Sequence, residues 1–128
     1  MKTLLCTIAL CGAWVSASEA RGYDCLLHQT CTAAEQPCDT GALRLSLRQE
    51  QDGWTASAPP DVSARFAAVG NAGSDLLNLV SADIDTDAGA AALLTISSQG
   101  EALMTIHGDF FGSPGRITLD GACTEENR

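Results

Sequence analysis

Apolar and polar residues alternate along most of the chain, which is the pattern of half-buried β-strands. In segment 42–50, three leucines alternate with arginine and serine, so that one face is apolar. Asp52-Gly53 follows as a preferred two-residue hairpin turn. The same arrangement recurs on either side of Gln99-Gly100, near 92–98 and 102–110. These segments predict antiparallel hairpins that turn one face toward a core.

Turn-forming residues separate seven segments of this kind. Strands are expected near 23–31, 42–50, 54–58, 75–84, 92–98, 102–110 and 116–123. Short strands with regularly spaced turns are typical of a small antiparallel barrel or sandwich. The sequence therefore predicts a mostly β fold of about seven strands, with the residues from Thr124 onward frayed.

The segment 61–69 fits two structures. Val62, Phe66 and Val69 have helical spacing and follow Pro60, which suits the first turn of a helix. The same nine residues also show the two-residue alternation of a strand. We expect one short helix here, favoured only slightly over the strand.

The first 20 residues have the pattern of a secretory signal peptide. Lys2 supplies positive charge, and the apolar run over 3–15 precedes Ser18-Glu19-Ala20, which has small residues where signal peptidase cleaves. A run of about 13 residues is too short to span a bilayer of roughly 30 Å. We expect cleavage after Ala20, with Ala17 as the alternative site.

Cleavage there leaves a single exported β-domain over 21–128, which is periplasmic or secreted and not inserted in a membrane. A buried N-terminal helix and a lipoprotein anchored at Cys11 are weaker alternatives for the leader. The formal net charge is −9, and it stays there when Lys2 and Glu19 are removed together. Such a surface repels phosphate backbones, so nucleic acid is not an expected partner.

Four cysteines remain in the exported chain, which indicates two disulfides in an oxidising compartment. In a closed up-and-down barrel the first and last strands are neighbours, which would place Cys25 beside Cys123. Cys31 and Cys38 flank a six-residue loop that they could close. The long link should contribute about 4–5 kcal/mol and the short one about 2–3 kcal/mol. Zinc held by this cluster together with His28 is the weaker alternative, because the spacing lacks two close pairs.

Candidate chemistry is sparse, and no catalytic motif of a known type occurs. His107 and Asp109 share one face of a strand and could form half of an acid–base pair, although a surface histidine is the simpler interpretation. Asp83, Asp85 and Asp87 alternate and form a weak calcium candidate; an EF-hand loop is excluded, because Ala and Leu occupy its glycine and glutamate positions. An ordinary acidic loop explains the aspartates as well, so we expect no cofactor.

These observations lead to three functional hypotheses. The first is a non-enzymatic exported module that binds a protein partner or a small ligand. The second is a structural or envelope-associated domain without a ligand site. The third is a small hydrolase that uses His107 and Asp109. A cavity inside the barrel would favour the first hypothesis over the second, and a polar cleft around His107 would favour the third.

Overall fold

The computed structural model describes residues 20–30, 41–70, 73–83, 90–110 and 112–126. Within these residues there is no helix, and eight antiparallel strands close into one barrel, which confirms the predicted fold class. The strands are β1 (Gly22–Gln29), β2 (Ala42–Glu50), β3 (Gly53–Ala58), β4 (Val62–Val69), β5 (Leu76–Asp83), β6 (Ala90–Ser97), β7 (Glu101–Phe110) and β8 (Ser113–Glu125). Each strand pairs with the next along the chain, and β8 closes the barrel by pairing with β1.

The alternation seen in the sequence becomes the division between barrel interior and barrel surface. Successive side chains of a strand point to opposite faces, so every second residue enters the core. Leu27, Leu79 and Leu94 lie on three different strands and are fully buried there. Among the described residues, no polar or charged side chain is buried. The core is therefore held by apolar packing, while the ladder hydrogen bonds satisfy the backbone.

The helix that we favoured over 61–69 is wrong, because this segment is strand β4. Phe66 pairs with Trp54 of β3 on the inner face, while Ala67 pairs with Val80 of β5 on the outer face. The strand supplies ladder partners to β3 on one side and to β5 on the other. A helix would leave both of those edges unpaired, so closure of the sheet selects the strand. This segment raises the predicted seven strands to eight.

Two turns and one terminus differ from the predicted boundaries. Glu50 pairs with Gly53, so the hairpin loop is Gln51 and Asp52, and Gly53 opens β3 with a φ of 146°. β8 begins at Ser113, inside the stretch predicted as a turn, and it continues to Glu125 instead of fraying at Thr124. The pairing of Thr124 and Glu125 with β1 explains this difference, because a terminus that joins a ladder is held in place.

The seam between β1 and β8 carries the predicted disulfide. Cys25 and Cys123 are directly opposite each other, bonded, with Cα atoms 4.0 Å apart. The Cys123 N–H donates to the Gly100 carbonyl at 2.7 Å, away from β1, so the two cysteines form the closely spaced, non-hydrogen-bonded type of pair. Gly121 lies two residues before Cys123 on β8, and a Cβ there would collide with the Leu26 carbonyl oxygen of β1. The predicted Cys31–Cys38 link lies outside the described residues.

Candidate functional site

The two ends of the barrel differ in the side chains that fill them. We call one the aromatic end; it carries the tight turns at 51–52 and 98–100 and both ends of the described chain. The other we call the alanine end; it carries the turn at 59–61. Each strand runs from one end of the barrel to the other. Its inward residues near the aromatic end therefore form one layer of the interior, and those near the alanine end form another.

The aromatic end is filled by rings. Tyr23 and Trp54 are 7% and 4% exposed, and their ring centroids lie 5.9 Å apart with a 35° tilt. Phe66, which is 3% exposed, pairs with Trp54 across the β3–β4 ladder. Rings of this size occupy the width of an eight-stranded barrel, so they fill this layer of the interior. A smaller and more polar depression of about 280 Å³ opens at the same end, beside Arg21, Tyr23 and Asp75.

An arginine covers the outer edge of this aromatic layer. Arg21 donates from Nη2 to the Tyr23 hydroxyl at 2.5 Å, and its Nε lies 3.1 Å from Oε1 of Glu125. Its guanidinium carbon lies 5.6 Å from the centre of the Tyr23 ring. Burial raises the pKa of Tyr23 and Glu125 raises it further, while Arg21 partly opposes them. The phenol is therefore kept neutral and hydrogen-bonded at the rim.

The alanine end contains a cup, by which we mean an apolar cavity of about 410 Å³ inside the barrel. Its described walls come from six strands, β2 to β7, and none of these wall residues is charged. The lining residues are Leu43, Leu45, Ala56, Ala58, Val62, Ser63, Ala64, Phe66, Ser81, Ala90, Ala91, Ala92, Met104 and Ile106. Six of these are alanines, and all but Ala91 take the inward phase of their strands, where they are too small to reach across a barrel of this width. The cup exists because small side chains occupy inward positions where the other end has rings.

The backbone pairing around β5 is irregular beside the cup. The β5–β6 pairing ends at Val80 and Leu93, although the two strands extend further in the described part of the chain. Beyond that pair, the Ala92 N–H donates to Oγ of Ser81 at 2.9 Å instead of to a backbone carbonyl. On the other side of β5, a β-bulge shifts the register between Arg65 and Phe66. Bulges of this kind are common at barrel rims and beside binding sites.

A larger depression of about 820 Å³ lies on the outer side of the barrel, beside the 59–61 turn. Its walls include Asp24, Arg44 and Asp61, together with three serines. Asp24 accepts a hydrogen bond from Ser46 at 2.8 Å within it. The charged side chains here are exposed and hydrated, so a ligand would have to displace water from every one of them. Although it is smaller, the cup is the better candidate, because its walls are mostly apolar and a ligand there would not have to displace water from charged side chains.

The outer faces of β4 to β7 carry an uncharged band. Its ladder rows run Val69–Asn78–Thr95–Leu103 and Ala67–Val80–Leu93–Thr105. At strand spacing and rise, four strands by five residues cover about 19 Å by 16 Å. That is on the order of 300 Å², well below the roughly 800 Å² per partner of a stable protein interface. Single exposed leucines of this kind are also ordinary on protein surfaces.

The candidate catalytic pair lies outside the barrel. His107 is exposed on the outer face of β7, opposite Ala91 and Arg116, and Asp109 follows on the same face. A shallow depression of about 260 Å³ beside them is lined by Asp109 but not by His107. The two side chains therefore do not share this depression.

The other candidate sites fall partly or wholly outside the described residues. This applies to Asp85 and Asp87 of the calcium candidate and to Cys31 and Cys38; of Asp83 only the backbone is described, which ends β5 opposite Arg65. Among the described residues, no group of three or more His, Cys, Asp or Glu side chains could hold a metal ion.

No protein-family model matches this chain, and no curated protein or solved structure is significantly similar to it. Within the described ranges there is no helix of the length and hydrophobicity needed to cross a bilayer. The seam disulfide is compatible with an oxidising compartment outside the cytoplasm.

Proposed function

We propose that this protein is an exported, non-enzymatic binding module that holds one small apolar ligand in the cup. The observation that carries the proposal is an apolar cavity of about 410 Å³ inside one end of a closed barrel. Binding pockets for small molecules are typically 300–1,000 Å³, mostly apolar and concave. An eight-stranded barrel is just wide enough either to be filled by its own side chains or to hold one small ligand.

Other features support this proposal. A domain built only for structure gains stability by filling its interior, because each unfilled volume forgoes dispersion contacts. The aromatic end follows that rule, and the alanine end departs from it with alanines at inward positions, among them Ala56, Ala58, Ala64 and Ala92. A structural or envelope-associated role would not require this departure. A hydrolase role has less support, because His107 lies on the outer face of β7 and does not line the cup.

The proposed location is the periplasm or the extracellular space. The leader pattern of 1–20 motivates export, and the Cys25–Cys123 disulfide suits an oxidising compartment. Cleavage after Ala20 would leave Arg21 as the first residue with its contacts to Tyr23 and Glu125 intact. Intact mass of the exported chain tests this step, and a mass that includes residues 1–17 would contradict it.

The binding proposal is tested by filling the cup from within. Ala92→Leu places a branched side chain in the cavity, whereas Ala122→Leu adds the same atoms to the exposed outer face of β8. Binding of a fluorescent apolar probe should fall at least tenfold in Ala92→Leu and stay within twofold in Ala122→Leu. Equal binding by both variants, or none by the unsubstituted protein, would contradict the proposal.

A further inference from the structure

We infer that the ligand of the cup is an uncharged aliphatic carbonyl compound of roughly ten non-hydrogen atoms, whose carbonyl oxygen accepts a hydrogen bond from Ser81. This inference rests on the proposed function and names the class of molecule that the cup takes.

The size of the ligand follows from the volume of the cup. A water molecule in the liquid occupies about 30 Å³, so a cavity of about 410 Å³ offers room for roughly a dozen water-sized groups. Ligands seldom fill a pocket completely, which brings the number to about ten non-hydrogen atoms. The cup is thus too small for a long-chain lipid and suits a medium-length aliphatic molecule.

The absence of charge in the ligand follows from the lining. None of the described residues that line the cup is charged, and the polar ones among them are Ser63 and Ser81. A charge brought into an apolar cavity without a partner loses its hydration and gains nothing comparable in return. The cup therefore favours neutral molecules over carboxylates and amines with the same carbon skeleton.

The position of a polar atom in the ligand follows from Ser81. This residue shares the inward phase of Leu77 and Leu79, and its side chain lines the cup. Its Oγ already accepts from the Ala92 N–H at 2.9 Å, so the oxygen is engaged as an acceptor. The hydroxyl proton is not used by that bond, and it can be donated to the ligand. A carbonyl oxygen is an acceptor without a donor, so it matches this hydroxyl better than an amide N–H would.

The probe pair for the test is 2-octanone and 2-methyl-1-octene, which differ only in a carbonyl oxygen replaced by a methylene group. Both are titrated against protein labelled at its alanine methyl groups, and the shifts of the cup alanines report binding. Water also donates hydrogen bonds to the ketone. The ratio of the two affinities therefore depends both on the hydration of the free probes and on the contacts that they make in the cup. The change of that ratio between the unsubstituted protein and Ser81→Ala cancels the solvation of the probes.

Ser81→Ala should weaken 2-octanone about threefold to tenfold, as expected for one hydrogen bond, and leave 2-methyl-1-octene within twofold. Ser81→Thr, which keeps the hydroxyl, should restore the ketone affinity. Octanoate should bind at least tenfold more weakly than 2-octanone at neutral pH. The alanine methyl spectrum of each variant checks that the barrel is intact.

The outcomes separate the two proposals. If both probes shift the cup alanines but Ser81→Ala leaves their ratio unchanged, or if octanoate binds as tightly as the ketone, the inference about ligand class is overturned while binding in the cup stands. If no probe shifts these alanines in the unsubstituted protein, the proposed function itself fails, and the inference fails with it.

Discussion

The aromatic end and the alanine end of the barrel share one backbone scaffold and differ in side-chain volume. Strand number sets the width of the interior, so the same width has to be filled at both ends. At the aromatic end Tyr23, Trp54 and Phe66 fill it, whereas alanines at the other end leave a cup of about 410 Å³. Whether a small barrel becomes a packed core or a container is therefore decided by the size of a few inward residues, and both outcomes coexist in this chain.

The largest expected effect concerns the seam that holds the barrel closed. Replacing Cys25 and Cys123 together by alanine should lower the free energy of unfolding by about 4–5 kcal/mol, because the bond spans 98 residues of the unfolded chain. Equilibrium urea unfolding of the variant and of the oxidised protein measures this difference. A loss below about 1 kcal/mol would mean that the apolar layers close the barrel without the covalent link.

Removing a ring from the aromatic end should cost nearly as much. Trp54→Ala opens a cavity in a layer where Trp54 is 4% exposed, and we expect a loss of about 3–5 kcal/mol. Trp54→Phe keeps a ring in the layer and should cost clearly less. Far-ultraviolet circular dichroism follows unfolding in both variants, since the tryptophan fluorescence is lost. Equal stability of Trp54→Ala and the unsubstituted protein would show that this end is not a packed core.

The sharpest comparison makes the same substitution at both ends. Ala102 is 5% exposed and faces inward at the aromatic end, so Ala102→Leu should cost about 1–3 kcal/mol by overpacking. Ala92 lines the cup, so Ala92→Leu should leave the free energy of unfolding within about 0.5 kcal/mol or raise it, because the added carbons bury apolar surface in vacant space. Urea unfolding of the two variants side by side gives the difference. Similar losses of unfolding free energy in both variants would show that the two ends of the barrel are packed equally tightly.

The strands could be predicted from the sequence because their signal is local. Alternation and turn residues located seven of the eight strands, and closure of an up-and-down barrel then placed Cys25 beside Cys123. Strand β4 is not predicted from the sequence, because the apolar residues of 61–69 fit both the helical spacing and the two-residue alternation of a strand. Only its partners on β3 and β5 decide between them, and those contacts are not local in the sequence.

The cup could not be predicted because it depends on which inward residues meet in space. Ala56, Ala64 and Ala92 are each unremarkable in their own strands, since alanine is common throughout the chain. They form a cavity only when the registers bring three strands to the same end of the barrel. Small residues at successive inward positions, as at 56 and 58 and at 90 and 92, are the available signal. That signal has meaning only once the fold is known to be a closed barrel.

The smallest effect concerns the rim of the aromatic end, where burial and Glu125 raise the pKa of Tyr23. The unfolded chain should ionise its phenol near pH 10, and the folded chain should do so only at higher pH. The stabilisation from the neutral phenol is then complete below about pH 10 and is lost as the pH rises through the folded-state pKa. Tyr23 is the only tyrosine in the chain, so the absorbance of the phenolate reports the ionisation of this one group.

Two substitutions should move the Tyr23 pKa in opposite directions. Arg21→Gln removes the positive charge that favours the phenolate, so the pKa should rise further, whereas Glu125→Gln removes a negative charge and should lower it. Tyr23→Phe should abolish the absorbance change and flatten the fall of stability above about pH 10. Arg21 and Glu125 are both about half exposed, so each shift should be modest and should shrink at high salt. If Tyr23 titrates in the folded protein as a free phenol does, water enters the aromatic end. The two ends of the barrel would then differ in the size of their inward side chains but not in their access to water.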